Sequence, residues 1–343
     1  MKDIALPLRI GIIGAGAFAS RRHLPDLVKD PRVRVAAACR RDPEQLKLFC
    51  DHFGIPKRYT DWRRMLDDEA LDGVLIATPH EQHAEQAREA IVCGLHVLEE
   101  KPMALTGTEA DALAALAAQY GVRFAIAFNP PYWRHTDEMR RGIAAGRIGA
   151  LESIELFWSG SAAAVFGRAP MPETMGGVVK PTLFRADPGK NGGGFLMDAG
   201  GHLLSEILWV TGRQVLRVTA LMDRVPDDMR SILAVELQGG IQASVHLNGI
   251  SACGSRRVRS MYYGAQGSVG ATAPPFTVTW ACGSGTAVIV EADMPDVPSP
   301  AANWIDAITT GAPLRGDPEH GAAVTRLLCS AYRSAAMGTT ESV

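Results

Sequence analysis

Residues 8–20 read "LRIGIIGAGAFAS", an apolar β-branched run that meets glycines at 14 and 16 and an alanine at 19. A buried strand that ends in such a turn and continues as a helix leaves few folds open. Glycine permits the tight turn and lets backbone amides approach a pyrophosphate, whose charge the helix N-terminus stabilises. G-x-G-x-x-A is a short pattern that also occurs in ligand-free turns, but at the first strand–helix junction of a chain it points to dinucleotide binding. Gly14, Gly16, Ala17, Phe18 and Ala19 are therefore candidate cofactor contacts. With Lys2 before it and "AFAS" at its end, the stretch imitates a secretory leader. Asp3 and Arg9 interrupt the apolar run, and the strand reading is preferred.

From residue 8 to 128, short apolar runs alternate with longer amphipathic ones, as in βαβ units on a parallel sheet. Strands are expected at 9–13, 33–38, 73–77, 96–98 and 124–128. Helices are expected at 43–53, between the N-cap Asp42 and Gly54, at 81–93, closed by Gly94, and at 108–120, closed by Gly121. Beyond Asn129 the character changes. A helix over 136–145 precedes the strand-like "LESIELFW" and a glycine- and proline-rich stretch, 159–194, too long for a simple connector and expected to cap a substrate. A helix over 195–211 follows. Alternating runs near 215–221, 231–237, 242–247, 257–263 and 276–280 then imply a mostly antiparallel sheet with one covered face. Helices over 300–309 and 319–336 end the pattern.

At 343 residues the chain exceeds the usual size of one hydrophobic core. The expected fold is an N-terminal α/β Rossmann domain, 1–129, with a doubly wound parallel sheet, followed by an α+β domain, 130–343, built on a mostly antiparallel sheet. The net charge of −2, with signs interspersed and no basic block, argues against a nucleic-acid partner. The six cysteines show no C-x-x-C spacing, which argues against a disulfide framework or a zinc site and fits a reducing cytoplasm. No window has the apolar length of a membrane helix, so a soluble protein is expected.

Where the second strand should end, "AAACRRDP" carries Arg40 and Arg41 in place of the acid that holds an adenosine ribose in NAD enzymes. Two guanidinium groups can grip a 2′-phosphate through charge-assisted hydrogen bonds, which favours NADP; a solvated arginine pair is the plainer alternative. A second cluster is "NGGGFLMDAGGHLLSEI". An α-helix from 195 would put Asp198 and His202 on one face with Ser205 and Trp209, beside an apolar face of Leu196, Ala199, Leu203, Ile207 and Val210. Gly200 and Gly201 inside it would cost about 1 kcal/mol each against alanine, so a bare backbone is needed there, for a ligand or for close helix–sheet packing. Asp198 and His202 could also be two metal ligands. No third or fourth stands nearby, and no metal is expected.

In this order and spacing, "GIIGAGAFA" with "HLPDL", "ATPHEQHAEQAREAIVCGLHVLEEKPMALT", "GRIG", "FRADPGKNGGGFLMDAGGH" and the closing "WIDAITTGAPLRGDPEHGAAVTRLLCSAYRSA" resemble the Gfo/Idh/MocA oxidoreductases over nearly the whole chain. The resemblance implies Lys101, Asp198 and His202 as catalytic residues. His202 would exchange the hydroxyl proton, Lys101 would stabilise charge developing on the substrate oxygen, and Asp198 would orient His202. The Lys101–Pro102 bond is often cis in proteins that look like this. Thr78, Pro79, His80, His83, Glu100, Lys101 and Asn129 are implied as further cofactor contacts, and Lys101, Tyr132, Arg185, Asp198 and His202 as substrate contacts.

Two departures stand out. His80 replaces a common asparagine, and Pro130 and Pro131 replace a frequent basic residue after Asn129, which leaves contacts near Tyr132 and Trp133 undetermined. His23 and His96 read as structural. The implied activity is NADP-dependent interconversion of a secondary alcohol and a ketone on a sugar, sugar derivative or cyclitol. An NAD-dependent sugar or inositol dehydrogenase, and a glycosidase using tightly bound NAD, are alternatives. A pure nucleotide sensor is opposed by the intact Lys101, Asp198 and His202 set. The resemblance also implies a last helix that returns towards the first domain and a homodimer or homotetramer formed through an exposed sheet face.

Overall fold

The computed structural model describes residues 5–172, 177–253, 255–283 and 285–343. These fall into two compact units, the first drawn from 1–127, 170–184 and 298–322. Its strands are β1 (Leu8–Ile13), β2 (Val33–Cys39), β3 (Lys57–Tyr59), β4 (Gly73–Ile76), β5 (His96–Glu99) and β6 (Phe124–Ile126). All pair parallel, in the order β3-β2-β1-β4-β5-β6. The order reverses between β1 and β4, and in open α/β sheets that reversal opens a crevice at the carboxyl ends of the strands. β4 is buried along its whole length and β1 nearly so, as strands covered on both faces must be. β3 and the helix Trp62–Asp68 escape the sequence reading because the "KRY" strand is short and polar, with two of its residues exposed.

Capping sets the helix ends. Pro43–Phe53 starts on Asp42, whose carboxylate accepts the Glu44 and Gln45 amides at 3.1 Å, and stops at Gly54 with φ +66°. Gly107–Tyr120 starts on Thr106, whose Oγ1 accepts the Glu109 amide at 3.2 Å and donates to the Glu109 carboxylate. The helix expected over 81–93 is instead a 3₁₀ turn, His80–Gln82, followed by an α-helix, His83–Val92. Pro300–Thr309 belongs to this unit as well. Its Trp304 is fully buried, donates from Nε1 to the Arg123 carbonyl at 3.2 Å, and lies 3.0 Å from where a Cβ on Gly73 would sit.

The second unit is drawn from 128–169, 185–297 and 323–343. Its strands are β7 (Leu151–Ser159), β8 (Val215–Met222), β9 (Arg230–Leu237), β10 (Ile241–Asn248), β11 (Arg257–Gly264), β12 (Gly267–Ala273), β13 (Thr277–Cys282), β14 (Gly285–Val290) and β15 (Glu341–Ser342). The sheet order is β14-β13-β12-β11-β7-β10-β9-β8-β15, antiparallel except where β10 lies parallel to β7. Burial alternates residue by residue along β9 and β10, so one face is covered and the other bare. Leu221 and Ile232, paired across β8 and β9, stay 71% and 50% exposed on the bare side. On the covered side the Trp280 ring occupies the space that a Cβ on Gly142 of the helix Arg134–Ala144 would need. Among the described residues no helix is long and apolar enough to cross a membrane.

Candidate active site

The glycine turn is held by its own backbone. The Gly14 and Ala15 amides both donate to the Cys39 carbonyl, at 3.1 and 3.0 Å, and the Gly16 amide donates to the Gly14 carbonyl at 2.7 Å. Gly14 has φ +93°, and a Cβ there would lie 2.6 Å from the Ala77 carbonyl carbon, so no side chain is admissible. Gly16 differs. A Cβ on it would make only ordinary van der Waals contact, 3.7 Å from the Gly14 carbonyl oxygen and 3.8 Å from Arg40 Nη1, beside the start of the helix Ala17–Arg22. First-turn amides of a helix have no acceptor within the helix, so Ala17, Phe18 and Ala19 offer donors there. The turn fits a pyrophosphate.

Arg40 does not extend away from the strand end. Its Nη1 donates to the Ala15 carbonyl at 3.0 Å, and burial holds its pKa below the usual arginine value. A guanidinium has five N–H donors, so most remain for a ligand. Arg41, next to it, is exposed.

The loops after β4 and β5 are tied together by His83. The ring is fully buried, with Nδ1 2.7 Å from the Pro102 carbonyl and Nε2 3.0 Å from the Thr78 carbonyl. Burial holds its pKa below the usual value even though both carbonyls pull the other way. A neutral ring has one N–H, so it donates to one of these two carbonyls and only packs against the other. His83 is thus turned to protein carbonyls, and what it does for the site is hold the Lys101 loop against the Thr78 loop. Thr78 Oγ1 donates to the Gln86 amide oxygen at 2.6 Å, and His80 packs edge-on to Phe184 at 5.0 Å.

Lys101 is 6% exposed and the Lys101–Pro102 peptide is cis. Of the two glutamates before it, Glu100 lies 2.6 Å from Nε2 of the buried His23. Glu99 is fully buried, and burial first, then the neighbouring Glu100 charge, push its pKa well above the carboxylate range. His96 accepts the Arg123 amide on Nδ1 at 2.9 Å, in keeping with a structural role.

In the second unit the helix expected over 195–211 opens with a π turn, Leu196–Gly200, and is α-helical only from Gly201 to Thr211. Such turns recur at functional sites. A Cβ on Gly200 would lie 2.5 Å from the Leu196 side chain, and one on Gly201 3.2 Å from the Phe128 ring. These glycines are bare for close packing of protein on protein, the plainer of the two expectations. Asp198, inside the π turn, has Oδ1 2.8 Å from Arg185 Nε, a charge contact in which the N–H is not aligned as a hydrogen bond. His202 accepts the Asn129 amide on Nδ1 at 3.3 Å, and the Trp133 ring lies 6.4 Å away, tilted by 39°. Tyr132 is buried in the 3₁₀ turn Pro130–Tyr132.

The residues that anchor this segment were not foreseen. Asp228, fully buried, accepts the Leu196 amide on Oδ2 at 2.9 Å and the Tyr332 hydroxyl on Oδ1 at 2.6 Å. Burial pushes Asp228 up to about 6, against the pull of the Tyr332 hydrogen bond. The Tyr332 oxygen in turn accepts the Gly194 and Met197 amides at 3.0 and 3.2 Å, while Asn191 Nδ2 donates to the Gly193 and Gly194 carbonyls. A Cβ on Gly193 would lie 2.5 Å from the Tyr332 oxygen, and one on Gly194 would overlap the Asp228 backbone. The triple glycine was the available signal that something crowds this turn.

Two family models match the chain: an oxidoreductase family with an NAD-binding Rossmann fold over residues 8–128, and the C-terminal domain of the same family over residues 136–270. The chain belongs to the Gfo/Idh/MocA oxidoreductase family. The Gfo/Idh/MocA matches take in the glycine turn and Lys101 on one side and Arg185, Asp198 and His202 on the other. Over 194 residues the chain is 29% identical to dTDP-3,4-didehydro-2,6-dideoxy-α-D-glucose 3-reductase of Saccharopolyspora spinosa, covering 57% of this chain and 53% of that one. Over 212 residues it is 31% identical to the rhizopine catabolism protein MocA of Rhizobium meliloti, covering 60% and 58%. The chain thus matches a little over half the length of these curated relatives. A levoglucosan dehydrogenase solved with NADH and L-sorbose shares the fold, with a TM-score of 0.83 over 99% of each chain at 20% identity.

Proposed function

We propose that this Gfo/Idh/MocA protein interconverts a secondary alcohol and a ketone on a sugar, sugar derivative or cyclitol, with NADP(H) as redox partner. The observation that carries the reading is Lys101, a buried cation just past the carboxyl end of β5 in the unit that holds the dinucleotide turn. A bound nicotinamide takes or gives the hydride. Lys101 stabilises the negative charge that develops on the substrate oxygen, and His202 exchanges the hydroxyl proton. Both ring nitrogens of His202 face Asn129, Nδ1 its backbone amide at 3.3 Å and Nε2 its side-chain Nδ2 at 3.5 Å, and the nitrogen that exchanges the proton must release that contact. Asp198, paired with Arg185, lies in the π turn that leads into the helix bearing His202 and orients that histidine. The sugar substrate draws support from relatives whose names specify a deoxysugar reductase and a levoglucosan dehydrogenase.

A panel of polyols, aldoses and keto-sugars, followed at the absorbance of the reduced cofactor with NAD and NADP in parallel, tests the reading. Silence across the panel with both cofactors would sink it. NAD is the second reading for the redox partner, favoured by the commitment of one Arg40 donor to the Ala15 carbonyl and by the exposure of Arg41. The bare sheet face around Leu221 and Ile232 is the surface through which we expect a homodimer or homotetramer, and light scattering on an Ile232→Lys variant tests it.

A further inference from the structure

Between two stretches of the second unit, residues 170–184 are spent in the first. Their described part is anchored at three places. The Val178 amide donates to Ser20 Oγ at 3.2 Å, and that hydroxyl donates to the Ala17 carbonyl at 2.8 Å, so the segment is bound to the helix that follows the glycine turn. The Lys180 amide donates to Gln45 Oε1 at 3.2 Å, in the first turn of the helix behind Arg40 and Arg41. Phe184 meets the His80 ring after β4. Val179, between the first two anchors, is 3% exposed and packs into the same apolar core as Ala15 and Ala17.

These anchors follow β1, β2 and β4, the three strands whose carboxyl ends border the crevice where a doubly wound sheet takes its dinucleotide. A segment that only links two elements has no physical reason to be pinned at all three. Ordering each residue costs roughly 1–2 kcal/mol, so the excursion must be offset by what it covers. We propose that residues 177–184 are the outer wall of the dinucleotide site: seated on the first unit through Val179, they flank a bound pyrophosphate dinucleotide at the strand ends, which leaves only when they lift. The inference rests on the Rossmann unit binding its cofactor and is independent of the substrate.

Hydrogen exchange on the whole chain, with and without NADPH or NADH, tests it in the wild type. Binding should slow exchange at the 178–184 amides by about tenfold or more, together with residues 14–20. Protection of 14–20 alone would overturn the wall and leave the cofactor reading standing, whereas protection of neither region would overturn both. A chase of bound reduced cofactor by excess oxidised cofactor then gives the dissociation rate. Val179→Asp, which unseats the buried anchor, should raise that rate by about tenfold or more. Should that variant fail to fold, the Ser20→Ala, Gln45→Ala double variant takes its place, and a rate within about twofold of wild type defeats the proposal.

Discussion

The two units hold their candidate site residues by opposite means. In the first, the glycine turn is backbone on backbone, with the Cys39 carbonyl accepting two amides and Ala77 closing the space behind Gly14. In the second, the segment bearing Asp198 and His202 hangs from buried side chains, Asp228, Tyr332 and Asn191. A turn of the first kind is indifferent to which side chains surround it, because backbone groups make its hydrogen bonds. A segment of the second kind tolerates change in its own exposed residues but not the loss of a hydroxyl or carboxylate far away in sequence. Binding of the nucleotide and proton transfer should therefore fail separately.

The largest separation should come from the reacting groups themselves. Lys101→Ala and His202→Ala should each lower kcat by about 10²–10⁴-fold while the far-UV spectrum is unchanged. On a confirmed substrate, near-full turnover by His202→Ala would remove it from the proton-transfer role. The next effect is confined to the second unit. Burial pushes Glu206 up to about 7 from an ordinary value of 4.5, only partly opposed by hydrogen bonds such as that from the Tyr262 hydroxyl. Its folded pKa lies above its unfolded one, so between those values the folded state binds more protons. Stability contributed here is present below about 4.5 and is lost as pH rises to about 7, by at most about 3 kcal/mol. Melting followed across that range should show the wild type losing stability relative to Glu206→Gln as pH rises, which isolates this acid from the other buried titrating groups. A difference between wild type and Glu206→Gln that stays flat over that range would count against the burial of this acid.

Smaller still is the cofactor preference, which probes the first unit alone. Arg40→Asp should weaken NADP(H) by about tenfold to a hundredfold and leave NAD(H) little changed or improved, because each charge-assisted bond to a 2′-phosphate is worth about 1.5–3 kcal/mol. Equal wild-type affinities for the two cofactors would overturn the preference. The smallest effect tests the comparison most directly. Tyr332→Phe leaves a buried carboxylate and two amides short of a partner and should cost the second unit about 1–2 kcal/mol. Cofactor affinity should not move with it. If titrations show it weakened in step with stability, the two supports are not separate.

Much of the first unit was legible because its signals are local. An apolar run, a glycine turn and a capped helix declare themselves within a dozen residues, and the Rossmann sheet was read from them. The catalytic candidates Lys101, Asp198 and His202 were legible only through resemblance. What sequence reading missed depends on partners far along the chain. Gly194 is bare because of Asp228 and Gly193 because of Tyr332, and no window around those glycines contains the distant residues. The π turn was hidden for a related reason, since an i,i+4 pattern of Asp and His fits an α-helix equally well. The stretch 159–194 was expected to cap a substrate; its residues 177–184 pack on the nucleotide-binding unit, in part through backbone amides that carry no sequence signature.

The one parallel pair in the second sheet has a consequence in time. β7 is central, flanked by β10 and β11, and its Ser153 is registered with Gln242. During synthesis at roughly 5–20 residues per second, "LESIELFW" emerges several seconds before either neighbour exists. Until then its two edges and its apolar side chains are open to other chains, and late non-local pairing of this sort is slow. Cell-free synthesis should accordingly lose more of the newly made chain to aggregates when β7 is made more apolar than when a later strand is. The central strand, paired along both edges in the finished protein, is the one with both edges open while the protein is being made.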